Sequence, residues 1–318
     1  MALSIDVVVT AFGRYDLTRS CLLHLQQQTV PHKVIVVING SVEDEAGSVR
    51  RDFPACWIVE LESNRGFAEA TNLGVAAGEG EVVVLLNNDV DCDPNFLEEM
   101  VRPLEVDPTV GSSSSLLLRP GRTVVDSMGL VADPTLACFP RHQGLAASDA
   151  ASCQLEVTGP AGAGAAYRRT AWEQVGGLDE HLLAYMEDFD LALQLRAAGW
   201  GSQLAPAAVA VHLGSATFGS SPYRQRENGG FGRGYVLRRY GVMRRSRAAR
   251  ALLTEATVVV ADALVNRDLA ALKGRLAGWR AAKGLTKKDL PPPQAIDTRI
   301  GLVDSLLLRR GRRGRPAT

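Results

Sequence analysis

The chain has 318 residues, 46% hydrophobic and 22% charged, with a formal net charge of zero. This is the balance of an ordinary soluble globular protein, large enough for one α/β domain plus an appendage or for two small domains. The five cysteines (Cys21, Cys56, Cys92, Cys138, Cys153) are scattered, odd in number and free of CxxC spacing, which excludes a disulfide framework or a zinc site and indicates a reducing compartment. The zero charge hides an asymmetry. Residues 1–223 carry 13 Lys and Arg against 28 Asp and Glu, a net of −15; residues 224–318 carry 22 against 7, a net of +15. A basic end on an acidic body points to an anionic partner, such as a membrane surface or a phosphate-bearing acceptor, or to folding back onto the body. The N-terminus lacks the basic region of a signal peptide. The apolar run 256–265 is interrupted by Asp262 and too short to span a bilayer. A cytoplasmic protein, either free or peripheral at the inner face of the membrane, is the expectation.

In chain order, residues 5–10 are a β-branched run expected to form a buried strand. A helix follows over 16–28, with Leu17, Cys21, Leu22 and Leu25 at helical spacing. Residues 34–38 give a second strand, ended by Asn39-Gly40, and 57–61 a third. Residues 69–77 read as a helix closed by Gly78, and 81–86 as a fourth strand. Asp93-Pro94 opens a helix to about 104. This order implies an α/β fold with a mostly parallel sheet covered by helices, in which ligands bind beyond the carboxyl ends of the strands. Asn87-Asn88-Asp89-Val90-Asp91 stands at such an end.

Residues 110–131 read as further strands joined by Arg119-Pro120-Gly121, with the serine run 112–115 as a loop or strand edge. The Gly/Ala-rich stretch 159–164 marks a close approach of backbone. Helices are expected over 170–175, closed by Gly176-Gly177, and over 187–198, followed by Gly199. A last strand, 209–211, precedes His212. From about residue 220 the character changes: 229–234 reads as a glycine-rich connector, and 235–240 and 248–283 as helices with Arg and Lys on one side. Pro291-Pro292-Pro293 reads as a linker and 309–315 as a disordered basic tail. The expected organisation is a domain over 1–220, with a nucleotide-binding half to about 110 and a catalytic half to 220. A basic, mainly helical extension over 221–318 follows.

Two acidic sites carry the chemistry. The first is the strand end at Asn87–Asp91, suited to hold a divalent cation against a diphosphate. The second is Glu187-Asp188-Phe189-Asp190 at the start of a helix, where a carboxylate can take a proton from an attacking hydroxyl. Strand-end turns and helix N-terminal charges account for such residues without function. Their combination points to an enzyme using a nucleotide-activated substrate.

Four blocks, in order, give this chain its resemblance to family 2 glycosyltransferases over about residues 5–218. They are Ser63-Asn64-Arg65-Gly66-Phe67-Ala68 with Asn72-Leu73-Gly74; Leu86-Asn87-Asn88-Asp89-Val90; Val175-Gly176-Gly177-Leu178-Asp179-Glu180 with Glu187-Asp188-Phe189-Asp190-Leu191; and His212. The pattern is most similar to the rhamnosyltransferase-type branch. The resemblance implies a GT-A, Rossmann-like fold and inverting transfer of a hexosyl or deoxyhexosyl unit from a nucleotide-sugar donor, assisted by Mg²⁺ or Mn²⁺. It implies Asp188 as general base tuned by Glu187, with Asp190 structural. Asp89 would be the metal carboxylate, with Asp91 and His212 as further ligands. Asn64, Arg65, Gly66, Asn72, Asn87 and Asn88 would lie on the donor, Gly162 and Gly164 beside the sugar and acceptor, and Ser215 and Thr217 near the diphosphate.

Two positions depart from the family pattern. Ile38 stands where an Asp commonly reads the base, and Phe12-Gly13 where the first strand usually ends in Asn-Arg. Base contacts then fall to Thr10, Ala11 and Phe12, with Asn39 at the second strand end, and a dTDP-sugar becomes nearly as plausible a donor as a UDP-sugar. The acceptor is expected to be a lipid-linked saccharide or a small molecule. The extension is expected to meet anionic lipid or a second copy in a homodimer. No nucleic-acid module accompanies the basic end. The alternatives are a catalytically impaired sugar-nucleotide-binding protein, motivated by Ile38, and a nucleotidyltransferase, which lacks its Gly-rich, basic start here.

Overall fold

The computed structural model describes residues 3–41, 44–148, 154–182, 184–214, 221–244 and 246–309. The β-branched runs form β1 (Ile5–Ala11), β2 (Lys33–Asn39), β3 (Trp57–Leu61) and β4 (Val82–Asn87). These four strands pair in parallel in the order β3-β2-β1-β4. Helices α1 (Tyr15–Leu25), α2 (Glu45–Asp52) and α3 (Phe67–Ala76) lie between them in sequence. Successive strand side chains point to opposite faces, and both faces are covered. Val7, Val9, Val36 and Val84 pack with Cys21, Leu22 and Leu25 of α1. Val8, Ile35, Val37 and Val83 pack with Ala68, Ala70 and Val75 of α3 on the other side. That is why the strands read as unbroken apolar runs. The short, polar α2 carries no such signal and is an addition to the elements expected from sequence.

Beyond β4 the sheet is mixed. β10 (Gly164–Arg168) lies antiparallel between β4 and β6 (Val110–Leu118). β11 (Gly201–His212) runs parallel to β6, and β5 (Val90–Cys92) pairs antiparallel with β11. β7 (Val125–Ser127) joins β6, and β8 (Leu130–Ala132) pairs with β9 (Cys138–Pro140) in a separate ribbon. Helices α4 (Phe96–Val106), α5 (Arg169–Val175) and α6 (Glu187–Ala197) complete this part. The pairing of His212 with Val90 brings the end of β11 beside the turn that follows β4.

Two expectations change here. The serines 112–115 are not a loop or edge but fully buried residues of β6. The Ser112 and Ser202 hydroxyls share a hydrogen bond, and Ser115 donates to Gly164 O, each at 2.8 Å. With partners for their hydroxyls, polar residues can occupy a core strand. The last strand begins at 201, not 209; Pro206 lies where the register with β6 shifts, which hides the continuity in the sequence.

The extension also differs. The glycines of 229–234 lie inside α7 (Pro222–Arg239), and the expected single helix is split into α8 (Ala248–Asn266) and α9 (Ala270–Ala281) by Arg267 at φ 55°. A Cβ at Gly230 or Gly234 would meet backbone of Ala271 or Arg275 in α9, and one at Gly274 or Gly278 would meet backbone of Glu227 or Phe231 in α7. The two helices thus touch backbone to backbone, and this contact overrides the poor helix propensity of glycine. The proline run is no free linker: Thr158 Oγ1 donates to Ala295 O at 2.7 Å, and Asp297 N donates to Ala132 O at 2.8 Å. Arg309 belongs to α10 (Leu302–Arg309) and binds Glu255; the rest of the expected tail lies outside the described residues. Phe189 and Leu193 of α6 and Leu130 of β8 share one buried cluster with Val236, Leu237 and Tyr240 of α7 or directly after it. Among the described residues no helix is long and apolar enough to cross a membrane, and Cys21, Cys56, Cys92 and Cys138 are free thiols.

Candidate active site

A cleft of about 240 Å³ opens at the carboxyl ends of β1, β2 and β4. On one side Asn39, the last residue of β2, shapes its wall. The Asn39 carboxamide accepts from Arg65 N at 2.9 Å and donates to Gly66 O at 3.1 Å and to Asn64 Oδ1 at 3.3 Å. Asn64 Oδ1 in turn accepts from Gly66 N at 2.8 Å. Gly66, at φ +83°, then turns the chain into α3. Gly40, at φ +73°, lies so close to the Ser63–Asn64 backbone that a Cβ would overlap it. Thr10, Phe12, Gly66 and Phe67 line this side. Phe12 is exposed at the rim, where its ring is free to stack on a planar base.

At the floor, Asn87 ends β4, and Asn88 and Asp89 follow it. Asn88 Nδ2 donates to Thr18 Oγ1 at 3.0 Å, and that hydroxyl donates to Glu45 Oε1 at 2.7 Å, a buried chain that ties the turn to α1 and α2. Asp89 is 3% exposed, and its Oδ1 is buried with no hydrogen-bond partner. Its neighbour is His212 Nε2 at 3.5 Å. The other ring nitrogen, Nδ1, is 2.8 Å from Asp126 Oδ2. Burial works against charge on this imidazole, but the Asp126 hydrogen bond and the Asp89 carboxylate outweigh it and raise the His212 pKa to about 9. The imidazolium therefore supplies the positive charge between the two acids.

The third wall is the turn into α6. Tyr185 and Met186 both have left-handed backbone, φ 67° and 76°, a costly conformation for non-glycine residues that a surrounding structure must impose. Gly232 of α7 packs against this turn; a Cβ there would sit 2.7 Å from Met186 Cγ. Glu187 and Asp188 follow at the start of α6. Asp188 is half-buried and holds two backbone bonds, Oδ2 from Gly162 N at 2.9 Å and Oδ1 from Phe189 N at 2.7 Å. These fix the carboxylate plane and leave each oxygen a second lone pair. Burial raises the Asp188 pKa, and the two amides pull it back. Glu187 is buried, with Oε2 lacking a hydrogen-bond partner, and burial plus the Asp188 charge push it up to about 8. Two adjacent carboxyls thus differ in surroundings: burial and its neighbour's charge favour the neutral form of Glu187, whereas Asp188 has two amide donors that favour its charged form.

Several expected residues are not brought into the cleft. The turn at Asn88-Asp89 sends the chain into β5, so Asp91 lies elsewhere, accepting from Ser20 Oγ at 2.9 Å and 3.9 Å from His24 Nε2. Arg65 pairs with Glu69 on the exposed side of α3. Asn72 binds the backbone of Leu178 through both ends of its carboxamide, at 3.0 and 2.9 Å, and so pins the loop before α6. Gly164 is a strand residue whose Cβ would meet Ser115 Oγ. Ala11 and Ile38 are buried in the core on the α1 side. Ser215 and Thr217 lie outside the described residues.

Residues 6–176, more than half of the chain, match the family model described as Glycosyl transferase family 2. The chain belongs to glycosyl transferase family 2. It is 26% identical over 214 residues to the N-acetylglucosaminyl-diphospho-decaprenol L-rhamnosyltransferase of Mycobacterium tuberculosis, an alignment covering 60% of this chain and 70% of that protein. It is 29% identical over 208 residues to an O-antigen biosynthesis protein of Myxococcus xanthus, covering 61% of this chain but only 16% of the relative. Among solved structures, a mannosyltransferase of Pyrobaculum calidifontis in complex with GDP-Man and Mn²⁺ superposes with a TM-score of 0.55 at 22% identity, covering 90% of this chain and 77% of the other. That likeness establishes a shared GT-A fold. This family 2 member is accordingly a glycosyltransferase that uses a nucleotide-sugar donor.

The glycosyltransferase cleft contains parts that the sequence does not announce. Asp126, on the short β7, faces His212 across 86 positions and belongs to no local motif. Phe67, Ala163, Ala184 and Tyr185 complete the lining; the left-handed turn at Tyr185-Met186 has no glycine to betray it.

Proposed function

We propose that this enzyme transfers a hexosyl or deoxyhexosyl unit from a UDP- or dTDP-sugar to an acceptor hydroxyl with inversion, using Asp188 as general base. The observation that carries this is Asp188 itself: a half-buried carboxylate, oriented by two backbone amides, at the edge of a cleft whose far wall is the Asn39–Asn64–Gly66 loop. Asp188 takes the hydroxyl proton as the acceptor oxygen bonds to the anomeric carbon and the bond from that carbon to the diphosphate oxygen breaks. The nucleoside diphosphate leaves on the opposite face, which inverts the anomeric centre. Neutral Glu187 keeps a second negative charge away from Asp188 and from the diphosphate.

The residues present fit a divalent cation. Among the described residues no cluster of three or more His, Cys, Asp or Glu side chains able to hold a metal occurs, so those residues offer at most a pair. The orphaned Oδ1 of Asp89 and the Nε2 of His212, which must first give up its proton, are that pair, with Asp126 orienting the imidazole through Nδ1 as carboxylates do for metal-bound histidines. Mg²⁺ and Mn²⁺ accept few protein ligands when substrate phosphates and water supply the rest. When bound, such an ion supplies charge stabilisation for the departing diphosphate.

The acceptor is a lipid-linked saccharide or a small molecule; the named chemistry of the mycobacterial relative favours the first. Residues 1–220 form the catalytic domain in this reading and 221–318 an extension that meets the inner face of the membrane, with a homodimer as the alternative. Thermal stabilisation by UDP, dTDP and GDP and their sugar conjugates, with and without Mn²⁺, tests the donor site. A Mn²⁺-dependent shift with one nucleotide supports it; no shift with any returns weight to an impaired binding protein.

A further inference from the structure

Asp89 sits on the short turn from β4 into β5, and two backbone bonds hold that turn at its ends. Asn87 N donates to Ala163 O at 3.1 Å, and Leu213 N donates to Asp89 O at 3.0 Å. Between them, Asn88 anchors the turn through its side chain. Asn88 Nδ2 donates to Thr18 Oγ1 at 3.0 Å, and Thr18 Oγ1 donates to Glu45 Oε1 at 2.7 Å. Thr18, Glu45 and Asn88 are 0%, 1% and 2% exposed, so these bonds are shielded from bulk water. Neither Thr18 nor Glu45 lines the cleft.

The order of donors matters. A threonine hydroxyl has one proton. Here that proton goes to Glu45, so the hydroxyl meets Asn88 as an acceptor, and only the amide end of the carboxamide can face it. A flipped Asn88 would set its oxygen against the Thr18 oxygen with no proton between them. Glu45 thus fixes the Asn88 carboxamide through Thr18. The base of this chain is braced. Glu45 opens α2, whose N-cap Asp44 accepts from Gly47 N at 2.9 Å. Tyr15 of α1 donates to Asp52 Oδ2, at the other end of α2, at 2.6 Å. An apolar pair at Thr18 and Glu45 would join α1 to α2 without the cost of burying a hydroxyl and a carboxyl. What the polar pair adds is direction, and the group it directs is the residue before Asp89.

We propose that Thr18 and Glu45 are positioning residues for the cation site: through Asn88 they set the turn that presents Asp89 Oδ1 beside His212. This rests on the reading of Asp89 and His212 as the cation pair and adds what holds the carboxylate in place. It is independent of the identity of the sugar.

The test measures binding rather than turnover. Mn²⁺ is titrated calorimetrically into the full chain in the presence of UDP or dTDP, and each nucleotide is also titrated without metal. Thr18→Ala and Thr18→Ser remove the same methyl group and differ only in the hydroxyl; Thr18→Val keeps the volume and removes the hydroxyl. The Ala and Val variants should bind Mn²⁺ about tenfold more weakly, the scale for losing a group that orients a metal ligand. Their metal-free nucleotide affinity should be unchanged, and the Ser variant should stay close to wild type. A cooperative thermal transition confirms that each variant is folded, and if one of the two hydroxyl-free variants does not fold, the other decides. Equal Mn²⁺ affinity in the wild type and the hydroxyl-free variants overturns the proposal. So does a Ser variant as weak as Ala, which traces the effect to the methyl, and so does an equal loss of metal-free nucleotide affinity, which marks a general loosening of the cleft. A wild type that binds nucleotide with no response to Mn²⁺ gives a different result: it sinks the cation reading itself, and this proposal with it.

Discussion

The ammonium group of Lys288 lies 2.5 Å from the Asp190 carboxylate, although the residues are 98 positions apart. Asp190 is fully buried in the first turn of α6, two residues after Asp188. The same ammonium lies 2.7 Å from Asp179, and the hydroxyls of Tyr240 and Tyr235 donate to Asp190 and Asp179 at 2.9 and 2.8 Å. The extension thus provides cations, Lys288 and, 3.7 Å from Asp179, Arg239, to two buried carboxylates at and before the start of α6. Lys288→Met should cost about 3–5 kcal/mol, the usual penalty for stranding a buried charge. Urea unfolding of the variant measures this; an unchanged midpoint would mean that the tyrosines and Arg239 suffice.

Asp188→Asn preserves the shape of the side chain and the bond from Gly162, but cannot take a proton. Transfer should fall by roughly 10²–10⁴-fold, with nucleotide affinity by calorimetry close to wild type. A variant that binds nucleotide poorly yet turns over normally would assign Asp188 to the donor instead.

Asp126→Asn probes a residue that touches no expected ligand. Removing the carboxylate that orients His212 should weaken Mn²⁺ binding by about 10–100-fold and leave metal-free nucleotide binding intact. Titration of Mn²⁺ against nucleotide fluorescence gives the comparison, and equal Mn²⁺ affinity in both proteins would remove His212 from the metal site.

Glu187 has a folded-state pKa near 8 against 4.5 as its ordinary value. The folded protein therefore holds a proton that the unfolded chain releases. Stability from this group is present below pH 4.5 and is lost as pH rises through 8. Glu187→Gln is neutral throughout, so its thermal midpoint should decline less than that of the wild type between about pH 5 and about pH 9. Parallel declines would show that another group sets the slope.

The parallel strands and the cleft floor were legible because local pattern and tertiary role coincide there. Val7 to Val9 and Val82 to Leu86 are apolar on both faces of a covered sheet, and Asn87 to Asp89 break that run at the strand end where ligands gather. The extension was misread where packing between distant elements overrides local preference: glycines that weaken a lone helix are what α7 and α9 need in order to touch. Ser112 and Ser115 look solvated until Ser202 and Gly164 supply their partners. Asp91 shares the acidic pattern of Asp89, but only the turn between them decides which acid faces the cleft. Asp126 acts through a residue far away in sequence and leaves no local trace.

At Gly230, Gly234, Gly274 and Gly278 the seam between α7 and α9 is backbone against backbone, so it works as a strut without slack. A larger residue at Gly274 or Gly278 cannot be absorbed by a change of rotamer; the helices must separate, and Gly232 moves with them. Because Gly232 abuts Met186, such a change reaches the backbone that aims Glu187 and Asp188. The strut, like the turn it braces, lies outside residues 6–176, the stretch that matches the family model. A graft of residues 1–220 onto a different C-terminal region should fold its sheet correctly and still misdirect the turn that carries Glu187 and Asp188.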